Sequence, residues 1–209
     1  MQPGQPPVVG LTGGIASGKT TLSNWLAEQG AHIIDADAMG HMVIAPNGPA
    51  YEEVIATFGK DIVAEDGTID RKKLGAIVFS APEKLQQLNA ISHPLMADMM
   101  QREIVRVRVR PEEHRPPLIV LDAAILFEAG WNELCDQTWA VVTEPKIALA
   151  RLMERNGLDE AAAQARLDAQ MSNADRIQRA DFALENNHQI DDLLDAAGEL
   201  WEQLVEPIW

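Results

Sequence analysis

The sequence contains very little cysteine and no long apolar run. Cys135 is the single cysteine among 209 residues, so neither an intramolecular disulfide nor a cysteine cluster for structural zinc is expected. No apolar stretch is long enough to span a bilayer, and residues 1–7, which are rich in Gln and Pro, lack the apolar core of a secretory signal. These absences predict a cytoplasmic protein without a membrane partner.

Basic residues are also scarce. Lys and Arg total 17 against 32 Asp and Glu, which gives a formal net charge of −15. Such an acidic surface argues against sequence-independent binding of nucleic acid, so an anionic ligand must be attracted by a local loop or arginine cluster. The length suits one α/β domain with insertions, and we expect a monomer or weak homo-oligomer with no nucleic-acid partner.

The segment from Gly13 to Thr20 matches the phosphate-loop pattern G-x-x-x-x-G-K-[ST]. An apolar run at 8–11 predicts a strand before it, and residues 20–29 predict a helix after it. Glycines let backbone N–H groups reach phosphate oxygens, and the helix N-terminus favours negative charge. We expect Lys19 to reach the β- and γ-phosphates and the Thr20 hydroxyl to ligate Mg²⁺. The predicted nucleotide-binding residues are Gly13, Gly14, Ile15, Ala16, Ser17, Gly18, Lys19, Thr20 and Thr21. The alternative is a glycine-rich turn without a ligand.

Strands and helices alternate over much of the chain. Apolar runs predict further strands at 31–34, 118–122, 138–142 and 182–184, and residues 190–205 predict a closing amphipathic helix. This alternation predicts an α/β fold: a parallel five-stranded sheet with helices on both faces.

Residues 38–109 show a helical pattern that is too long for one crossover connection, which predicts an inserted helical subdomain. Asp70 is expected to cap one of its helices, and Ser80–Glu83 matches a capping box with a proline at the first position of the next helix. Pro94, which follows His93, is expected to end that helix and begin a longer one.

Acidic residues follow two predicted strands at the sheet edge where open α/β sheets bind ligands. Asp35 and Asp37 follow the second strand, and Asp37 has the position to accept a proton from an attacking hydroxyl or to hold Mg²⁺ through water. The alternative is that both acids cap the next helix. Asp122 ends the third strand and is either an acid that touches Mg²⁺ or a strand-end or capping residue.

Arg151 and Arg155 lie four residues apart on one predicted helix, where like charges repel unless they share an anion. We interpret residues 151–176 as a mobile lid that brings arginines to a transferring phosphoryl group. Solvated surface arginines are the alternative. The basic stretch 71–73 and the arginines between 102 and 110 are either contacts for a phosphate-bearing acceptor or solvated helix faces.

These motifs together resemble the dephospho-CoA kinase family, in order, over nearly the whole chain. The resemblance lies in Gly10–Thr20, Ile34–Asp37, Ile69–Arg71, His93–Pro94, Ile125–Glu128, Arg151–Gly157, Ala169–Met171, Ala180–Phe182 and Asn186–Asn187.

The resemblance implies ATP-dependent phosphorylation of the ribose 3′-hydroxyl of dephospho-CoA, the last step of CoA synthesis, with Mg²⁺. It implies a nucleotide-binding core at 1–37, 110–143 and 177–209, a CoA-binding helical insertion at 38–109 and a lid at 144–176. It favours Asp37 as catalytic base and a lid arginine as γ-phosphate clamp. The catalytic set expected from it is Asp37, Lys19, Arg151 and Arg155, and the expected acceptor contacts are Asp35, Asp37, Arg71 and His93.

Three positions depart from the family pattern: Ala16 and His188 stand where Gly is usual, and Ala124 stands where Pro is usual. Ala16 is small and leaves the phosphate-loop pattern intact, and no departure removes a reacting group. Two alternatives remain open from the residues themselves. One is a phosphate-loop kinase for another small acceptor, such as a nucleoside monophosphate or a sugar acid, and the other is a nucleotide-dependent regulatory protein.

Overall fold

The structure is a computed structural model that describes residues 5–205. The strands are β1 (Val8–Gly13), β2 (His32–Asp35), β3 (Ile119–Asp122), β4 (Gln137–Val142) and β5 (Phe182–Glu185). The helices are α1 (Lys19–Glu28), α2 (Ala36–Val43), α3 (Tyr51–Phe58), α4 (Arg71–Val78), α5 (Pro82–Arg108), α6 (Pro145–Asn156), α7 (Glu160–Asp168), α8 (Asn173–Arg179) and α9 (Ile190–Val205). Short 3₁₀ helices lie at Lys60–Ile62, Glu112–His114 and Trp131–Leu134.

The five strands form one sheet in the order β2-β3-β1-β4-β5. Strand β1 pairs in parallel with β3, where Val9 lies beside Val120, and with β4, where Val9 lies beside Gln137. Strand β5 pairs in parallel with β4. The predicted α/β class with a five-stranded parallel sheet is confirmed. The loop after β1 therefore lies at the carboxyl edge of the central strand, where such sheets bind ligands.

One face of the sheet packs against α1 and α9. Val9, Leu11 and Trp139 are fully buried there together with Leu22 of α1 and Leu193 of α9. Burying an apolar side chain of this size contributes about 1.5–3 kcal/mol. The cluster thus fixes β1 relative to α1, and with them the two ends of the loop that joins them.

On the opposite face of β1, Gly10 permits a close approach by residues 126–135. A Cβ placed on Gly10 would lie 2.7 Å from Cys135 Sγ and 2.8 Å from Leu126 Cδ2. Leu126 is fully buried, and burial raises the pKa of Cys135 to about 12. Cys135 is therefore a packing group, because a thiol with so high a pKa stays protonated and unreactive near neutral pH.

Residues 35–103 form a compact unit that is distinct from the rest of the described chain. Its buried side chains include Val54, Leu74 and Met100. At the start of α4, the Asp70 carboxylate accepts hydrogen bonds from the backbone N–H groups of residues 72 and 73 at 2.9 and 3.1 Å. The predicted N-cap is therefore confirmed.

Helix α5 runs without a break from Pro82 to Arg108, so the prediction that Pro94 ends one helix and begins another was wrong. A proline inside a helix removes one backbone hydrogen bond and costs about 3 kcal/mol. Four buried side chains follow it on the same helix: Met96, Met100, Ile104 and Val107. Their burial offsets that cost, so packing decides the course of the helix here and local propensity does not.

The capping box predicted at Ser80–Glu83 was also wrong. Ser80 Oγ donates a hydrogen bond to the carbonyl oxygen of Ile77 at 2.7 Å, at the end of the preceding helix. Ala81 directly precedes α5, which begins at Pro82. The proline at the first helical position is confirmed, whereas the serine belongs to the turn before it.

Residues 145–179 form three helices. The sequence predicted helices at 145–155 and 160–171, but the second ends at Asp168, and the separate helix α8 was not predicted. The one residue of α8 classed as buried is Arg176, so no apolar periodicity reveals this helix. Helix α9, in contrast, has the predicted bounds, because its apolar face is strongly periodic. Within residues 5–205, no helix is long and apolar enough to cross a membrane.

Candidate active site

The loop between β1 and α1 is packed as closely as its glycines permit. A Cβ placed on Gly13 would lie 2.6 Å from Ser17 Oγ, and one placed on Gly18 would lie 2.3 Å from Asn186 Nδ2. Gly18 also has a φ of 98°, in the left-handed region. Other residues at these two positions would clash with their neighbours. Gly13 is therefore required by packing around the loop, and Gly18 by both its backbone conformation and its approach to Asn186.

Ala16 adopts a left-handed conformation with a φ of 61°, although it carries a Cβ. Such a conformation costs an L-residue about 1–2 kcal/mol. The departure from the usual Gly therefore strains the loop, a consequence that the intact sequence pattern does not reveal.

Lys19 and Asp122 form an ion pair beside the loop. Lys19 is the first residue of α1, and its Nζ donates a hydrogen bond to Oδ1 of Asp122, which ends β3. The two side chains are only 17% and 13% exposed. Pairing of Leu11 with Asp122 across β1 and β3 brings the carboxylate to this place. The carboxylate of Asp122 therefore faces the phosphate-loop lysine and caps no helix.

Oxygen donors near the loop suit a hard cation. Thr20 is exposed on the first turn of α1, and Asp122 ends β3, the strand beside β1. Ser17 Oγ is buried without a hydrogen-bond partner among the described residues. No group of three or more His, Cys, Asp or Glu side chains in residues 5–205 forms a metal cluster. A few protein oxygens completed by phosphates and water are the ligands that Mg²⁺ takes, so this donor set fits Mg²⁺.

A cavity of about 330 Å³ opens beside the loop. Gly14 and Ile15 of the loop line it, together with Leu167, Gln170 and Arg176 from α7, α8 and the turn between them. The Ile15 N–H donates a hydrogen bond to Gln170 Oε1 at 2.8 Å. The cavity thus brings together loop N–H groups and a guanidinium, which are the donors that an anion requires.

Arg176 is a buried residue of this cavity that sequence reasoning did not single out. It is 2% exposed, and its Nη1 donates a hydrogen bond to the Met171 carbonyl at 2.7 Å. Burial lowers the pKa of Arg176, and the charge of Glu128 opposes that shift in part. None of the described carboxylates lies within salt-bridge distance of the guanidinium. A buried cation without a close counterion is costly, so this position suits an anionic ligand.

The predicted lid arginines lie outside that cavity. Arg151 Nη1 donates to the Asn186 carbonyl at 3.1 Å, and Asn186 Nδ2 donates to the Ser17 carbonyl at 2.8 Å. Arg151 is therefore tied to the phosphate loop through one buried asparagine. Arg155 is exposed, and its Nε donates to Asn156 Oδ1 at 3.0 Å.

Four predicted acceptor residues lie in the unit 35–103. The carboxylate of Asp35 accepts the N–H groups of Asp37 and Ala38 at 2.8 and 3.1 Å and so caps α2. The exposed carboxylate of Asp37 has no hydrogen bond or ion pair with another described residue. Arg71 is exposed at the start of α4. Burial lowers the pKa of His93, which lies within α5.

A family model, curated relatives and solved structures all match most of this chain. The family model of dephospho-CoA kinase matches residues 7–192. A dephospho-CoA kinase from Carboxydothermus hydrogenoformans is 44% identical over 185 residues, which cover 88% of each chain. Among solved structures, TT1252 from Thermus thermophilus is 31% identical with a TM-score of 0.77, and the match covers 96% of this chain and 98% of that one.

A second solved structure is a dephospho-CoA kinase from Campylobacter jejuni. It is 25% identical with a TM-score of 0.72, and the match covers 97% of this chain and 98% of that one. Sequence and fold thus agree over almost the full length of the described residues. The chain belongs to the dephospho-CoA kinase family.

Proposed function

We propose a residue-level account of how this chain performs the reaction of its family. The chain transfers the γ-phosphoryl group of ATP to the ribose 3′-hydroxyl of dephospho-CoA, which gives CoA and ADP, the last step of CoA synthesis. The observation that carries the proposal is the phosphate loop, whose Lys19 lies beside Asp122 and whose N–H groups border a cavity with Arg176.

ATP is the phosphoryl donor in this family, and the loop from Gly13 to Thr21 binds its phosphates. Backbone N–H groups and the N-terminus of α1 stabilise negative charge there. Lys19 leaves Asp122 to reach the β- and γ-phosphates, where its charge offsets the charge that develops during transfer.

The Thr20 hydroxyl would hold Mg²⁺, and Asp122 would be available to the ion once Lys19 has moved to the phosphates. When bound, the ion would supply positive charge that offsets the negative charge of the phosphates.

Asp37 orients the ribose hydroxyl and accepts its proton. Its exposed carboxylate is free to take this role, since neither of its oxygens is used within the described residues. Asp35 supports it indirectly, because its cap on α2 fixes the backbone N–H of Asp37. In phosphoryl transfer, one carboxylate that orients the nucleophile is a recurring requirement.

Arginines complete the phosphoryl site. Arg176 contacts the phosphates from the cavity, and Arg151 and Arg155 act as clamps when the lid, residues 144–176, closes. Asn186 is a positioning residue, since it joins Arg151 to the loop.

The helical insertion, residues 38–109, binds the acceptor, with Arg71 and His93 among its contacts. Residues 1–37, 110–143 and 177–209 form the nucleotide-binding core. We further expect a monomer or weak homo-oligomer that works in the cytoplasm on small molecules and not on nucleic acid; the acidic net charge of −15 supports the last point.

An acceptor screen tests the reaction. ADP release is measured with ATP and Mg²⁺ in the presence of dephospho-CoA, AMP, CMP or gluconate. We expect ADP release that depends on dephospho-CoA. Transfer to a nucleoside monophosphate or a sugar acid, with none to dephospho-CoA, would overturn the proposal. ADP release without any acceptor would favour a nucleotide-dependent regulator.

A further inference from the structure

The side chain of Gln170 accepts a hydrogen bond from the backbone of the phosphate loop. Its Oε1 accepts the backbone N–H of Ile15 at 2.8 Å, although the two residues are 155 positions apart in sequence. Gln170 lies in the turn between α7 and α8. Backbone N–H groups of a phosphate loop are the donors that hold phosphate oxygens. A neutral side-chain oxygen therefore lies where a phosphate oxygen is expected to bind.

One N–H donor of the neighbouring Arg176 guanidinium is also bonded to a neutral oxygen of this turn. Arg176 Nη1 donates to the carbonyl of Met171, which directly follows Gln170. Gly14 adjoins both groups, since a Cβ placed there would lie 3.4 Å from Arg176 Nη1 and 3.6 Å from Gln170 Oε1. Residues 170 and 171 thus supply two neutral oxygens to two donors, Ile15 N–H and the guanidinium. A single anion at the loop would compete for both.

We propose that Gln170 is a placeholder for a nucleotide phosphate, which holds the α7–α8 turn against the loop in the free chain and is displaced when the nucleotide binds. This inference rests on the proposed function, because the displacing group is a phosphate of ATP or ADP. A phosphate oxygen forms a charge-assisted hydrogen bond with the same N–H, which is stronger than the bond to a neutral amide. The nucleotide therefore displaces Gln170. Its apparent affinity is lower than its intrinsic affinity, because only chains in which Gln170 has released the Ile15 amide can bind the phosphate there.

Displacement would also release the turn. The Gln170 side chain joins this turn to the Ile15 amide, and the turn leads directly into α8, which carries Arg176. Loss of that contact frees the turn, whereas Asn173 Nδ2, which donates to the Thr143 carbonyl at 2.7 Å, keeps the start of α8 in place. Nucleotide binding and rearrangement of the lid are then coupled through one amide group.

Two substitutions of Gln170 are expected to change the affinity for ADP in opposite directions. Gln170→Met keeps the length of the side chain but removes the acceptor, so we expect ADP and inorganic pyrophosphate to bind about two- to tenfold more tightly, the range for one relieved hydrogen bond. Gln170→Glu places a carboxylate beside Ile15 and Arg176, so we expect both ligands to bind more weakly than to the unaltered chain, because a charged acceptor competes better. Gln178→Met, on an exposed position of α8, is the matched control and should change neither affinity.

Isothermal titration calorimetry without acceptor gives these affinities, and hydrogen exchange of the Ile15 amide gives a readout independent of nucleotide. That amide should exchange faster in free Gln170→Met than in the free unaltered chain, and equally slowly in the two ADP complexes. Weaker binding of ADP to Gln170→Met, or unchanged exchange of the free Ile15 amide, would overturn the inference alone. Absence of ADP binding by the unaltered chain would overturn the inference and the proposed function together.

Discussion

Replacement of Arg176 separates a ligand-binding role from a structural one. Arg176 is 2% exposed, and its guanidinium has one hydrogen bond to the Met171 carbonyl at 2.7 Å and adjoins the phosphate loop at Gly14. Arg176→Met keeps most of the apolar stem and removes the charge. A hydrogen bond to a charged group is worth about 1.5–3 kcal/mol, so we expect ADP affinity to fall roughly 10- to 150-fold.

Stability should respond far less than burial alone would suggest. Removal of a desolvated cation that lacks a close counterion is favourable, whereas the Met171 carbonyl loses its donor at a cost of about 1–3 kcal/mol. Because these effects oppose each other, we expect the free energy of unfolding to change by less than about 1 kcal/mol. Urea denaturation of the free chain measures the free energy of unfolding, and calorimetric titration with ADP measures the affinity for ADP.

Arg179→Met is the matched control, because Arg179 is exposed on the same helix. It should alter neither quantity. The reasoning fails if Arg176→Met binds ADP as tightly as the unaltered chain does. It fails equally if that variant loses about 3–5 kcal/mol of stability, which is the cost of breaking a buried ion pair that the fold requires.

Two substitutions and one reactivity assay test other parts of the account. Ala16→Gly should raise the free energy of unfolding by about 0.5–1 kcal/mol in urea denaturation, because relief of left-handed strain exceeds the added entropy of the unfolded chain; destabilisation would show that Ala16 is not strained. Asp37→Asn should lower turnover about a hundredfold or more in the coupled ADP assay while ATP affinity stays nearly constant, and near-normal turnover would remove Asp37 from the mechanism. Burial raises the pKa of Cys135 to about 12 from 9.0, so the folded chain should react with a thiol reagent at pH 8 about a thousandfold more slowly than the urea-unfolded chain; similar rates would contradict that burial. The stability linked to this thiol is present below pH 9.0 and is lost as the pH rises towards 12, because the unfolded chain releases the proton first.

Local chemistry explains which elements could be predicted from the sequence. The phosphate loop is defined by glycines that its conformation and packing require, and Asp70 caps α4 through two adjacent N–H groups. Helix α9 has a strongly periodic apolar face. In each case the sequence signal, which is a motif, a cap or a periodic apolar face, lies within a short stretch, even where the packing that it serves is long-range.

Long-range packing explains the elements that could not be predicted. Pro94 looks like a helix terminator, yet α5 continues through it because buried side chains lie further along the helix. The burial of Arg176 and its approach to Gly14 depend on how α8 folds back onto β1 and its loop. The strain at Ala16 depends on a backbone angle that the sequence pattern does not encode. Site residues close in sequence were thus accessible to motif reasoning, whereas a contact between positions 14 and 176 was not.

Identification of the reaction product tests the central claim most directly. The chain is incubated with ATP, Mg²⁺ and dephospho-CoA, and the acceptor is analysed by mass and by phosphorus–proton NMR coupling. The account predicts an acceptor heavier by one phosphoryl group, with the new phosphorus coupled to the ribose H3′ proton, and one ADP formed for each CoA. ADP formed without a phosphorylated acceptor, or a phosphate at another hydroxyl, would contradict it.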